Sequence, residues 1–158
     1  MRCFLFMLIF LLTGSIAVAQ SEQLARNFFD RGEYKKALEI YKDIYEDNPS
    51  NPIIFNGLVS SYQQLENFKA AEDLLRERMN ASANNPAILI DIGNNYELQQ
   101  NLERAEQFYQ EALQAGESRP NYAYSIARSF EKYSLLDYAV KAYERAMEIN
   151  PAQNFNLQ

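Results

Sequence analysis

Pro52, Pro86 and Pro120 stand 34 residues apart, and the residues around them keep one register through the whole chain. In a frame that starts at Val18, the eleventh position is aromatic four times over: Phe28, Tyr62, Tyr96 and Phe130. The twentieth is always alanine (Ala37, Ala71, Ala105, Ala139), and the twenty-fourth is Tyr41, Leu75, Tyr109 and Tyr143. Four copies, 18–51, 52–85, 86–119 and 120–153, follow without an insertion. A fixed period of this length is the mark of a chain built from one stacked supersecondary unit, so any fold that does not repeat is excluded.

Each unit reads as two helices. In PIIFNGLVSSYQQLEN, PAILIDIGNNYELQQN and PNYAYSIARSFEKYS the apolar residues recur at three- and four-residue steps, which gives each segment one buried face. Asn51 and Asn85 are expected N-caps, with Pro52, Pro86 and Pro120 in the first turn, where a missing N–H costs nothing. Second helices are expected over Tyr34 to Asp47, Phe68 to Ala81, Leu102 to Ala115 and Leu136 to Ile149, after turns at Gly32, Asn67, Asn101 and Ser134. Gly116 and the asparagines at 48, 84 and 150 are expected to close them through left-handed exits. Alanine at the twentieth position suits a close helix crossing, which a larger side chain would force apart.

The first nineteen residues differ in kind. Arg2 precedes the unbroken apolar run Cys3 to Leu12, and Ala17-Val18-Ala19 forms a small-x-small site before Gln20. Residues 1–19 therefore read as a cleaved secretory signal peptide. The run is short for a bilayer, which needs about 20 apolar residues, and Thr13, Gly14 and Ser15 interrupt it. The expectation is an exported protein, periplasmic or extracellular, with no stable membrane insertion after cleavage. Cys3, the sole cysteine, would leave with the leader, so no disulfide is expected in residues 20–158.

The full chain has a formal net charge of −6, and losing Arg2 makes the remainder more acidic still. With no basic run, such a surface repels phosphate backbones, so nucleic acid is not an expected partner. The chain has no histidine, no cysteine beyond the leader and no glycine-rich loop. The usual nucleophile, metal and phosphate chemistries thus lack their parts; no cofactor, metal or catalytic residue is expected. One enzymatic alternative is a carboxylate-dependent glycan hydrolase using Glu97 and Glu131, which are also ordinary polar residues of neighbouring helices.

The motifs Leu24-Ala25-x-x-Phe28, Gly32-x-Tyr34, Ala37, Tyr41 and Pro49, and again Ile92-Gly93-x-x-Tyr96, Ala105, Tyr109 and Ala112-Leu113, resemble the tetratricopeptide repeat. The resemblance implies an all-α fold: a right-handed superhelical α-solenoid of four helix–turn–helix units over 20–153, whose first helices line a concave groove for peptides or protein segments. It implies a non-catalytic protein–protein interaction scaffold, with a periplasmic accessory of outer-membrane or cell-wall assembly as the alternative. Groove positions expected from the phase are Glu22, Arg26 and Phe29; Asn56, Ser60 and Gln63; Ile90, Asn94 and Glu97; and Tyr124, Arg128 and Glu131. Of these, Arg26, Asn56, Ser60, Asn94, Tyr124 and Arg128 carry the guanidinium, amide, hydroxyl and phenol groups that bond a peptide backbone or carboxylate. The family's best-known carboxylate clamp needs lysine and asparagine where this chain has Glu22 and Arg26, so that mode is disfavoured.

Residues 154–158 read as the start of a fifth unit or a partial cap, as in a fragment of a longer repeat protein. Val140, Tyr143 and Met147 on the last helix then form an expected C-terminal interface, for self-association or another partner.

Overall fold

The computed structural model describes residues 18–149. They are helical throughout, with no strand among the described residues, and divide into two compact units between Asn67 and Phe68. The first unit holds α1 (residues 18–30), α2 (Tyr34–Asp47) and α3 (Pro52–Gln64). The second holds α4 (Phe68–Ala81), α5 (Ile88–Glu97), α6 (Leu102–Ser118), the 3₁₀ turn η1 (Pro120–Tyr122), α7 (Ala123–Lys132) and α8 (Leu136–Ile149). The division falls inside the second sequence copy, between its two helices. The signal-peptide reading of 1–19 falls almost wholly outside the described residues, as does the tail at 154–158.

The second helices start where the periodicity puts them, and the repeated alanines explain why. Ala37 and Ala71 are fully buried, Ala105 and Ala139 nearly so. Two glycines permit a closer approach still. A Cβ on Gly57 would lie 2.3 Å from Cζ of Tyr41, and one on Gly93 would lie 2.4 Å from Cε1 of Tyr109. Tyr41 and Tyr109 at the twenty-fourth position therefore pack their rings directly against a glycine of a first helix. Phe130, Ile54, Leu75, Ile90, Ile92 and Ile126 are the largest fully buried apolar side chains.

The turn inside each repeat has one geometry. Gly32, Glu66, Gln100 and Ser134, all at the fifteenth position, have φ of 75°, 57°, 61° and 58°. In each, the next N–H donates to the carbonyl of the eleventh-position aromatic: Glu33 to Phe28, Asn67 to Tyr62, Asn101 to Tyr96 and Leu135 to Phe130, at 2.9–3.0 Å. The left-handed residue's own N–H donates to the twelfth position: Phe29, Gln63, Glu97 and Glu131, at 2.9–3.0 Å. This is the Schellman closure, which satisfies the last carbonyls of the first helix. Glutamate, glutamine and serine in a left-handed conformation cost roughly 1–2 kcal/mol each, against a smaller cost from the extra unfolded-chain entropy that glycine would bring. Gln100→Gly, and likewise Glu66→Gly and Ser134→Gly, should each raise stability by about 0.5–1 kcal/mol. Urea unfolding checks this, and a loss of stability in all three would contradict it.

Several expected boundaries shift, each for a local reason. The turns expected at Asn67 and Asn101 centre one residue earlier, and Asn101 instead caps α6, its Oδ1 accepting from Arg104 N at 3.1 Å. Asn51 caps α3 as expected, accepting from Ile53 N at 2.9 Å. In the third copy α5 begins at Ile88, because Ile88, Leu89 and Ile90 donate to Asn85, Pro86 and Ala87 in tighter three-residue bonds. Asn85 still accepts from Ala87 N at 3.0 Å. In the fourth copy the first turn is η1, and Arg119 provides no side-chain cap. Asn48 closes α2 at φ −134°, so no left-handed exit occurs there; Ala83 and Asn84 after α4 supply one at φ 52° and 54°. Gly116 does not end its helix. It lies buried inside α6, where an added Cβ would come 3.1 Å from Cδ1 of Ile126.

Candidate functional site

In the first unit, three of the six expected groove residues come together. Arg26 on α1 and Asn56 and Ser60 on α3 line a cavity of about 330 Å³ with Phe29, Asp30, Tyr41, Ile53 and Gly57. Tyr41 reaches it because Gly57 lets its ring cross α3, and it is only 4% exposed. Burial raises its pKa, which Arg26 opposes and Glu22 and Asp30 reinforce. Its phenol thus stays protonated at neutral pH. Arg26 and Asn56 are exposed and Ser60 half-buried. Ile53, 49% exposed, adds an apolar contact at the rim. The lining therefore offers a cation, an amide, hydroxyl groups and a carboxylate beside apolar surface.

Arg26, Asn56 and Ser60 follow from the repeat phase, whereas Tyr41 in the same lining does not. Tyr41 is a core position by period, and only its pairing with Gly57 reveals that it faces the polar residues.

Asn94, Tyr124 and Arg128 lie in the second unit, on α5 and α7, half-buried, half-buried and exposed respectively. Tyr124 packs its ring against Tyr143, centroids 6.5 Å apart. Ile90, expected to face the groove, is instead fully buried. The tight first turn of its copy brings this apolar residue round to the packed side. Glu97 and Glu131, the alternative catalytic pair, each accept a hydrogen bond from the tyrosine of their own repeat, Tyr109 at 2.7 Å and Tyr143 at 3.0 Å.

Those two bonds belong to a wider pattern. Tyr96 donates to Glu72 at 2.9 Å, Tyr133 to Asp91 at 2.6 Å, and Tyr138 to Glu106. Burial, then the bond to Glu97, pushes the Tyr109 phenol well above its usual range. Burial, then the charge of Asp91, does the same to Tyr133. Burial and the Glu106 bond raise Tyr138 to about 12. Asp91 also pairs with Lys132 at 2.9 Å. Fully buried Asn95, next to the expected groove residue Asn94, donates to the Phe68 carbonyl at 3.0 Å and ties α5 to the start of α4. These are fastenings of the fold.

On α8, Val140 and Met147 are 55% and 43% exposed and share a face with Leu136, 63% exposed. Tyr143 is only half-buried, and its hydroxyl is held by Glu131. Among the described residues no group of acidic, cysteine or histidine side chains is arranged to hold a metal, and no helix is long and apolar enough to cross a membrane.

Comparison with curated proteins finds no match. Among solved structures, PcrH from Pseudomonas aeruginosa is similar, with 16% identity over 85% of this chain and 92% of that one and a TM-score of 0.54. PcrH in complex with the chaperone binding region of PopB is 18% identical, covering 72% of this chain and 91% of that one, with a TM-score of 0.53. A crystal structure of MamA is 20% identical over 86% and 80% of the two chains, with a TM-score of 0.49. At such identities the PcrH similarity speaks for the fold alone. Two tetratricopeptide repeat profiles match residues 28–88 and 87–118, in a stretch that the 34-residue period also covers. Between them these matches span more than half the sequence, and the chain belongs to the tetratricopeptide repeat family.

Proposed function

We propose that this chain is a non-catalytic interaction scaffold, exported from the cytoplasm, that holds a peptide segment of a partner protein against its first helices. The observation that carries the reading is the first-unit cavity in which Arg26, Asn56, Ser60 and Tyr41 converge beside Ile53. Peptides need both kinds of surface, since their amides must be hydrogen-bonded and their side chains buried. The PcrH complex offers an analogy, a protein of similar fold crystallised with the chaperone binding region of PopB. Export rests on Arg2, the apolar run Cys3 to Leu12 and the Ala17-Val18-Ala19 site.

Peptides selected from a displayed library on the full chain test the site. Asn56→Ala should weaken the selected peptides about tenfold, near the cost of one lost hydrogen bond at a desolvated contact. Unchanged affinity in both Asn56→Ala and Arg26→Ala would move the site elsewhere. Amino-terminal sequencing of exported protein should begin at Gln20; an intact Met1 would remove the cleaved leader.

A further inference from the structure

A second cavity, of about 420 Å³, opens in the second unit between α6, α7 and α8. Its apolar lining comes from Leu113, Gly116, Ala123, Ile126 and Ala142. The repeat register shows how it arises. At the fourth position, Phe55 and Leu89 of the second and third copies give way to Ala123. At the twenty-third, Ile40, Leu74 and Phe108 of the first three copies give way to Ala142. Two side chains that are large in the second and third copies are therefore both alanine at this one place. Gly116, kept inside α6, opens the floor further.

We propose that this cavity is a docking site that takes one large apolar side chain from a partner segment with lysine or arginine beside it. It is distinct from the peptide site of the first unit. The hollow supplies the apolar half of the recognition, being of a size typical of ligand pockets. Charge supplies the other half. The rim carries Glu117, Glu144 and Glu148 against Lys141 and Arg145. Arg145 is committed to Glu117 and Glu148, at 3.1 Å each. Lys141 lies toward the ring of Tyr138, 5.7 Å from its centroid. Glu144 has no ion pair among the described residues, so the rim keeps an excess carboxylate that a basic flank would neutralise. The chain's own net charge of −6 disfavours a second copy as occupant.

The test uses the full chain, methyl-labelled at isoleucine and leucine, and three twelve-residue probe peptides in a Gly/Ser background. One has a central phenylalanine flanked by lysines, one the same centre flanked by glutamates, and one a central alanine flanked by lysines. The Ile126 and Leu113 methyl resonances should shift and saturate with the first, with binding at least tenfold weaker for the other two. Ala142→Phe, which restores the ring present at Phe108, should abolish the response, as should the milder Ala142→Leu. Glu144→Lys, on the exposed rim, should reverse the preference between lysine and glutamate flanks. Asn56→Ala should leave all of this unchanged, which separates the two sites. No methyl shift with any peptide, equal binding of lysine- and glutamate-flanked peptides, or an undiminished response in Ala142→Leu would overturn the proposal. So would an Ile126 shift that grows with protein concentration alone, which would place a second copy in the cavity.

Discussion

Phe130→Ala should lower the stability of the second unit by about 3–5 kcal/mol, the cost of deleting a fully buried aromatic side chain and leaving its cavity. Phe130 is completely inaccessible to solvent. Its ring stacks on Tyr138 with centroids 5.1 Å apart and meets Tyr109 edge-on at 5.8 Å. Its carbonyl accepts from Leu135 in the turn that leads into α8. One residue thus joins α7, the turn, α8 and the tyrosine of α6. Urea unfolding of Phe130→Ala and Phe130→Leu measures the effect; the leucine variant, which keeps most of the volume, should lose much less. A loss under about 1.5 kcal/mol in the alanine variant would mean that this cluster is not the anchor of the fourth repeat.

Alkaline pH should destabilise the protein steeply. The phenols of Tyr109 and Tyr133 are held far above the unfolded value near 10, by burial first and by their carboxylate partners second. Each is an acid that the unfolded chain gives up more readily than the folded one. Its contribution is therefore complete below pH 10 and declines as pH rises, by about 1.4 kcal/mol per pH unit for each group. Together they should remove roughly 3 kcal/mol per pH unit above pH 10. Tyr138 adds to the slope only up to about pH 12, where it ionises in the folded chain. Urea unfolding at pH 8 to 11.5 gives the slope. The double variant Tyr109→Phe/Tyr133→Phe starts less stable, with Glu97 and Asp91 each short of a donor, and should decline far more gently. An equal slope in the double variant would assign alkaline unfolding to other groups.

How much of this was legible beforehand depends on what each feature leaves in the sequence. The second helices were legible almost to the residue, because Ala37, Ala71, Ala105 and Ala139 mark a contact that only small side chains permit. The intra-repeat turns were legible at Gly32 and Ser134 but one residue off at Asn67 and Asn101, because backbone geometry there is set by the closure of the preceding helix. Once the aromatic carbonyl at the eleventh position accepts from the sixteenth, residue fifteen must be left-handed, whether it is Gly32, Glu66, Gln100 or Ser134. Gly116 misled for the opposite reason, being present for its small volume against Ile126. At the candidate site, Arg26, Asn56 and Ser60 followed from phase alone. Ile90 did not, since the period cannot register a first turn wound more tightly than the rest. Tyr41 and Ala142 are informative only in comparison, one against Gly57 and the other against Ile40, Leu74 and Phe108.

The proposed peptide site in the first unit is tested most directly by side-chain NMR of the full chain titrated with a library-selected peptide. The Arg26 Nε–H and Asn56 Nδ2 resonances should shift and saturate together with the peptide's binding curve. Saturable binding that leaves both resonances unmoved would contradict the proposed site.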